Sequence, residues 1–136
     1  MIEEGLVTLV NGDGAVKAML PAPVGFLGGL PKGTALPSWT YTWASDDNTP
    51  GRGLQMPSGG LTFAQVQIDC YGNTRADVVN LGRKISKALA GFRGALADAE
   101  QTVVDSIFDS NQHDPEEDAA SRTWRRVLEF QVNYYK

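Results

Sequence analysis

Residues 61–71, LTFAQVQIDCY, set Ala64, Val66, Ile68 and Cys70 at every second position, with Gln65, Gln67 and Asp69 between them. A period of two is that of a strand, so this run predicts a β-strand with one apolar and one polar face. The chain passes at once into GNTRADVVNLGRKISKAL, where the apolar spacing becomes helical: Val78, Leu81, Ile85, Ala88, Leu89 and Phe92 fall on one stripe. Asn73 or Thr74 suits the N-cap, and Asp77 completes a T-x-x-D variant of the capping box at the positive helix end. Arg83, Lys84 and Lys87 suit the C-terminal half, and Gly91 or Gly94 can end the helix, which is expected over 74–90.

Working outward, residues 122–135 (RTWRRVLEFQVNYY) predict a second long strand. Trp124, Leu128, Phe130, Val132 and Tyr134 share one face, interrupted by Arg126, and Arg125, Val127, Glu129, Gln131 and Asn133 take the other. Residues 37–44 alternate Trp39, Tyr41 and Trp43 with Ser38, Thr40 and Thr42 and predict a third strand. Residues 101–110 read as a strand, 111–121 as an acidic turn, and 24–30 as a short glycine-broken strand. From Ile2 to Leu20 the apolar spacing is helical but is interrupted by Asn11-Gly12-Asp13-Gly14, which predicts two short helices with a turn between them. Residues 45–60, SDDNTPGRGLQMPSGG, form a predicted loop of about 16 residues, long enough to suggest a role in contact.

These elements predict an α+β fold. One domain spans 1–136, built on a mainly antiparallel or mixed sheet of roughly four or five strands flanked by an N-terminal helix and one long central helix. A length of 136 residues suits one core, and 42% apolar with 21% charged residues is ordinary for a globular chain. A formal net charge of −4 disfavours a duplex-gripping role. Cys70, the single cysteine, sits on the apolar face of its strand and reads as a buried structural thiol. The start, MIEEGLVTLV, lacks a basic segment before an apolar core, so no signal peptide is expected, and no apolar stretch approaches the about 20 residues of a membrane span.

No catalytic constellation is legible. His113, the only histidine, lies in the acidic turn with no nucleophile near it in sequence. Residues 109–114 share with a calcium loop only their alternating oxygen ligands, because Asp114 stands where the sharp turn needs glycine and Ala120 where the bidentate glutamate belongs. Gly51, Gly53, Gly59 and Gly60 are followed by no Gly-Lys-Ser/Thr, so no phosphate cradle is read. Asp46, Asp47, Glu116, Glu117 and Asp118 lie in turn-like sequence without apolar neighbours to shift them toward acid–base work. No catalytic residue, cofactor or metal is expected. The better lead is the polar side of the two long strands, where Gln65, Gln67, Asp69, Arg125, Glu129 and Gln131 would make a face suited to a wet protein contact.

The order of these elements, with L-x-x-x-x-V-Q-I-D before a polar turn, a helix ending KAL-x-G, and the closing R-x-W-R-R-V-L-E-F-Q-V-N-Y, resembles the tail-completion or tail-terminator proteins of long-tailed bacteriophages and gene transfer agents. The likeness spans almost the whole chain and is carried by Val66, Gln67, Ile68 and Asp69, by the helix to Leu89 and Gly91, and by Leu128, Phe130, Val132 and Tyr134. The sequence departs from that pattern at Cys70-Tyr71-Gly72 and at the Gly12/Gly14 break. The resemblance implies a non-enzymatic virion protein, assembled in the bacterial host cytoplasm and placed at the head-proximal end of the tail. There a ring, hexameric in the family, caps the tail tube, stops its polymerisation, presents a surface to the head-side connector or stopper, and lets DNA pass without specific binding. On this expectation the polar strand face is a subunit contact, and Asp46, Asp47, Asn48, Arg52, Leu54 and Met56 of the loop meet tube or connector. Other neck proteins, which close the head or join it to the tail, and a small ligand-binding module or enzyme are the alternative classes.

Overall fold

In the computed structural model the residues described are 2–21, 25–27, 34–47, 61–99 and 101–135. Their elements run α1 (Ile2–Gly12), α2 (Gly14–Met19), β1 (Gly25–Leu27), β2 (Ser38–Asp47), β3 (Leu61–Gly72), α3 (Arg75–Leu89), β4 (Gly94–Ala95), β5 (Val103–Gln112), β6 (Glu116–Asp118) and β7 (Thr123–Tyr135). One sheet, ordered β1-β2-β3-β7-β5-β4, holds all the strands, with β6 on β7 beyond the end of β5. Every pairing is antiparallel except β1 with β2, so the fold is α+β on a mixed, mainly antiparallel sheet.

The alternation of period two is realised in the register of β3 against β7. Ala64, Val66, Ile68 and Cys70 lie opposite Val132, Phe130, Leu128 and Arg126 on an inner face, and β2 continues those rows with Trp43, Tyr41 and Trp39. Val78, Leu81, Ile85 and Leu89 of α3 are buried on this face, and Leu6 and Val10 of α1 and Val16 of α2 join them in one hydrophobic cluster. Trp39 Nε1 donates to Asn11 Oδ1 at 3.1 Å, which ties β2 to the end of α1. Burial pushes the Cys70 thiol up to about 12, with Arg126 opposing and Asp69 adding to the shift, so this thiol is a packing group.

The caps follow the sequence. Thr74 Oγ1 accepts from Asp77 N at 3.1 Å and starts α3, and Gly91, at φ +84°, takes the chain out of it with Gly91 N donating to Ile107 O at 2.8 Å. The break in the N-terminal helical segment falls on Asp13, whose carboxylate accepts from Ala15 N and Val16 N at 3.0 and 3.1 Å and caps α2. The first helix therefore runs through Gly12.

Two segments depart from the expected pattern. Strand β2 does not stop at Ala44: a register shift between Trp43 and Ser45 absorbs one residue, and Asp46 and Asp47 then pair with Ala64 and Phe63. The predicted acidic turn instead begins with Asn111 and Gln112 of β5 and contains β6, whose Glu116, Glu117 and Asp118 pair with Arg125, Trp124 and Thr123. In both places pairing with a long neighbouring strand outweighs the poor strand propensity of acidic residues. The short strand expected over 24–30 is described at Gly25–Leu27, and its parallel pairing with β2 makes the sheet mixed.

Candidate functional site

With the helices on the inner face, the outer face of the sheet is lined by Tyr71, Asp69, Gln67, Gln65 and Phe63 of β3. Opposite them stand Arg125, Val127, Glu129, Gln131 and Asn133 of β7. The six residues singled out on the polar strand faces thus come together: Gln65 faces Gln131, Gln67 faces Glu129, and Asp69 and Arg125 occupy adjoining rows.

Their roles are unequal. Asp69 is a buried carboxylate, its side chain only 9% exposed, that accepts from Arg125 Nη2 at 2.9 Å and from Gln67 Nε2 at 3.0 Å. The pairing of Asp69 with Arg125 ties the two strands of this face together, and the half-exposed guanidinium is the part that reaches solvent. Gln131 Nε2 donates to Asn133 Oδ1 at 2.9 Å, and Asn133 Nδ2 to Ser106 Oγ at 2.8 Å, which extends the amide chain onto β5. Gln65 Oε1 accepts from Ser110 Oγ at 3.3 Å.

Sequence reasoning did not place His113 here. Because β5 runs on to Gln112, His113 N donates to Val127 O at 3.0 Å, and the ring Nε2 lies 3.2 Å from Glu129 Oε2. With Gln67, Asp114, Glu116, Arg125, Val127 and Glu129 it lines an open cleft of about 310 Å³ on the outer face. An apolar margin was also missed: Val103, Phe108 and Tyr135 are 47%, 45% and 44% exposed, with Val103 directly opposite Tyr135 and Phe108 opposite Gln131. The face covered by α3 was readable from the apolar side of β3 and β7, but which residues of β5 share the outer face is set by its register with β7. Among the loop residues of interest, Asp46 and Asp47 belong to the end of β2, and Asn48, Arg52, Leu54 and Met56 lie outside the described residues.

The outer face thus carries a row of amides, the Asp69–Arg125 ion pair, His113 beside Glu129, an open cleft and an exposed apolar margin. No family model matches the sequence. No curated protein matches it either. The fold, however, is similar to that of a chain in a solved structure titled "Virion of native gene transfer agent (GTA) particle", with a TM-score of 0.69 and 12% identity over 99% of this chain and 95% of that chain. At that identity the likeness is one of fold, and it assigns no role to individual residues. Among the described residues, no group of three or more His, Cys, Asp or Glu side chains is placed to hold a metal ion, and no helix is long and apolar enough to cross a membrane.

Proposed function

We propose that this chain is a structural virion protein of the tail-terminator kind, which closes into a ring, hexameric on the family pattern, at the head-proximal end of a tail tube. The observation that carries the reading is the end-to-end similarity of fold to a virion-particle chain, with 99% and 95% of the two chains covered. The ring stops tube growth and offers its free side to a head-side connector or stopper. Ring closure joins one patch of each subunit to a different patch of the next, and the outer sheet face, with Gln65, Gln67, Glu129 and Gln131 on its adjoining rows, supplies one such patch. The end of β2 at Asp46 and Asp47, with Asn48, Arg52, Leu54 and Met56 after it, meets the tube or the connector. A net charge of −4 suits a conduit through which DNA moves without being held.

The test is deletion of the gene from a particle-producing strain, with electron microscopy of the product. Tails of uncontrolled length, separated from filled heads and rescued by the chain supplied in trans, are expected. Particles of normal tail length with heads attached would overturn the proposal.

A further inference from the structure

The outward side of α3 is basic and has no charge partner among the described residues. Val78, Leu81 and Ile85 turn into the core, which leaves Arg83 and Lys87 exposed and Lys84 half-buried, and the side-chain ion pairs found involve other residues. On the opposite side of the sheet, Asp114, Glu116 and Glu129 line the cleft. Its one arginine, Arg125, is already engaged by Asp69. Three cations on the helix side therefore face two cleft carboxylates, Asp114 and Glu116, that have no ion-pair partner among the described residues, with Glu129 beside His113, all within the same chain. A head-to-tail contact between identical subunits needs two different, complementary patches, and patches on opposite sides of the subunit can both be occupied at once.

We infer that the outward face of α3 in one subunit docks on the acidic cleft of the outer sheet face in the next copy of this chain. This rests on the ring reading above and names the two halves of its contact. The carboxylates draw in the ammonium and guanidinium groups, and contact of opposite signs favours this order of subunits over helix-to-helix or cleft-to-cleft pairing, where like charges would meet.

The experiment uses the full chain in two variants, Arg83→Glu/Lys87→Glu and Asp114→Lys/Glu116→Lys, followed by sedimentation velocity at low salt, alone and with tail tubes. Circular dichroism verifies that both are folded; all four side chains are exposed, and none of them makes a hydrogen bond among the described residues. Each variant alone should assemble at least about tenfold more weakly than the unaltered chain, because like charges then oppose each other at every contact. Assembly should return when the two variants are mixed, since each keeps one original patch, and also when all four changes are made in one chain. Assembly of either single-patch variant at the original strength, or failure of the mixture to recover, would overturn this contact while leaving the ring reading standing. An unaltered chain that forms no ring, alone or on tubes, would overturn the ring reading and this contact with it. If Arg83→Glu/Lys87→Glu assembles normally but loses binding to a short random-sequence duplex, the basic face serves a polyanion and the contact is likewise overturned.

Discussion

Gly82 of α3 lies against Arg126 of β7, such that a Cβ at position 82 would stand 3.1 Å from the guanidinium Nη1 and 3.3 Å from Cδ. Arg126 is the charged residue that interrupts the apolar face of its strand, and this contact explains how it is tolerated there. Its Nη1 donates to Val79 O at 3.3 Å, its Nη2 to Gln112 Oε1 at 2.9 Å and its Nε to His113 O at 3.4 Å, so the guanidinium joins α3 to the end of β5. A glycine inside a helix is normally a cost; here its missing side chain is the space the arginine uses.

Position 82 and position 126 should therefore be energetically coupled. In an Arg126→Ala background, Gly82→Ala should stabilise the fold by about 1 kcal/mol, the ordinary helix-propensity gain. In the unaltered chain the same change should gain much less, because the methyl group displaces a guanidinium held by three hydrogen bonds. A double-mutant cycle by denaturant unfolding measures the difference, and strict additivity would show that Arg126 moves aside freely.

Cys70 gives a pH-dependent prediction. Its thiol is raised from 9.0 to about 12 in the folded chain by burial. The unfolded chain therefore releases this proton at lower pH, so the contribution of Cys70 to stability is whole below pH 9 and is lost as pH rises through about 12. Within that window the unaltered chain should lose stability more steeply than Cys70→Ala, by about 1.4 kcal/mol per pH unit. The thiol should also resist alkylation at neutral pH until the chain unfolds. Parallel slopes for the two proteins, or rapid alkylation of the native chain, would contradict the burial of this group.

Thr62 presents a different imbalance. It sits on the inner face opposite Tyr134, fully buried, with an Oγ1 that finds no hydrogen-bond partner among the described residues. Thr62→Val keeps the branched shape and removes the unpaired hydroxyl, so it should raise stability by about 1 kcal/mol. Thermal unfolding would show it. A lower melting temperature would mean that the hydroxyl is satisfied in solution.

How much of this was legible in the sequence depends on whether the cause was local. The inner faces of β3 and β7 and the stripe of α3 were readable because each repeats with the period of its own element, and Thr74 and Gly91 because capping is decided within one turn. The ends of β2 and the existence of β6 were not. Asp46, Asp47 and Glu116 to Asp118 are poor strand formers, held in strands by neighbours distant in sequence. The six polar residues of the outer face were identified by alternation, but the burial of Asp69 and the approach of His113 to Glu129 depend on a register between β3, β5 and β7 that no single segment encodes.

That register also decides which substitution can probe the outer face. Arg125→Glu is the obvious charge reversal, yet it would set a second carboxylate beside a buried Asp69 that has lost its guanidinium, and it should cost about 1–3 kcal/mol of stability before any partner is considered. Gln131→Lys is the cleaner probe. Gln131 is half-buried, faces Gln65 and Phe108 across its two neighbouring strands, and its amide nitrogen donates to Asn133 alone among the described residues. Its melting temperature should stay close to that of the unaltered chain. On the ring reading, the added ammonium in the middle of the contact should still prevent assembly on tail tubes, because a charge desolvated without a partner is expensive. Thermal unfolding and sedimentation of the two variants side by side separate the effects: Arg125→Glu should lose stability and assembly together, Gln131→Lys assembly alone. Full assembly of Gln131→Lys would remove the outer face from the contact, and an unchanged melting temperature for Arg125→Glu would show that the Asp69–Arg125 pair does not support the fold.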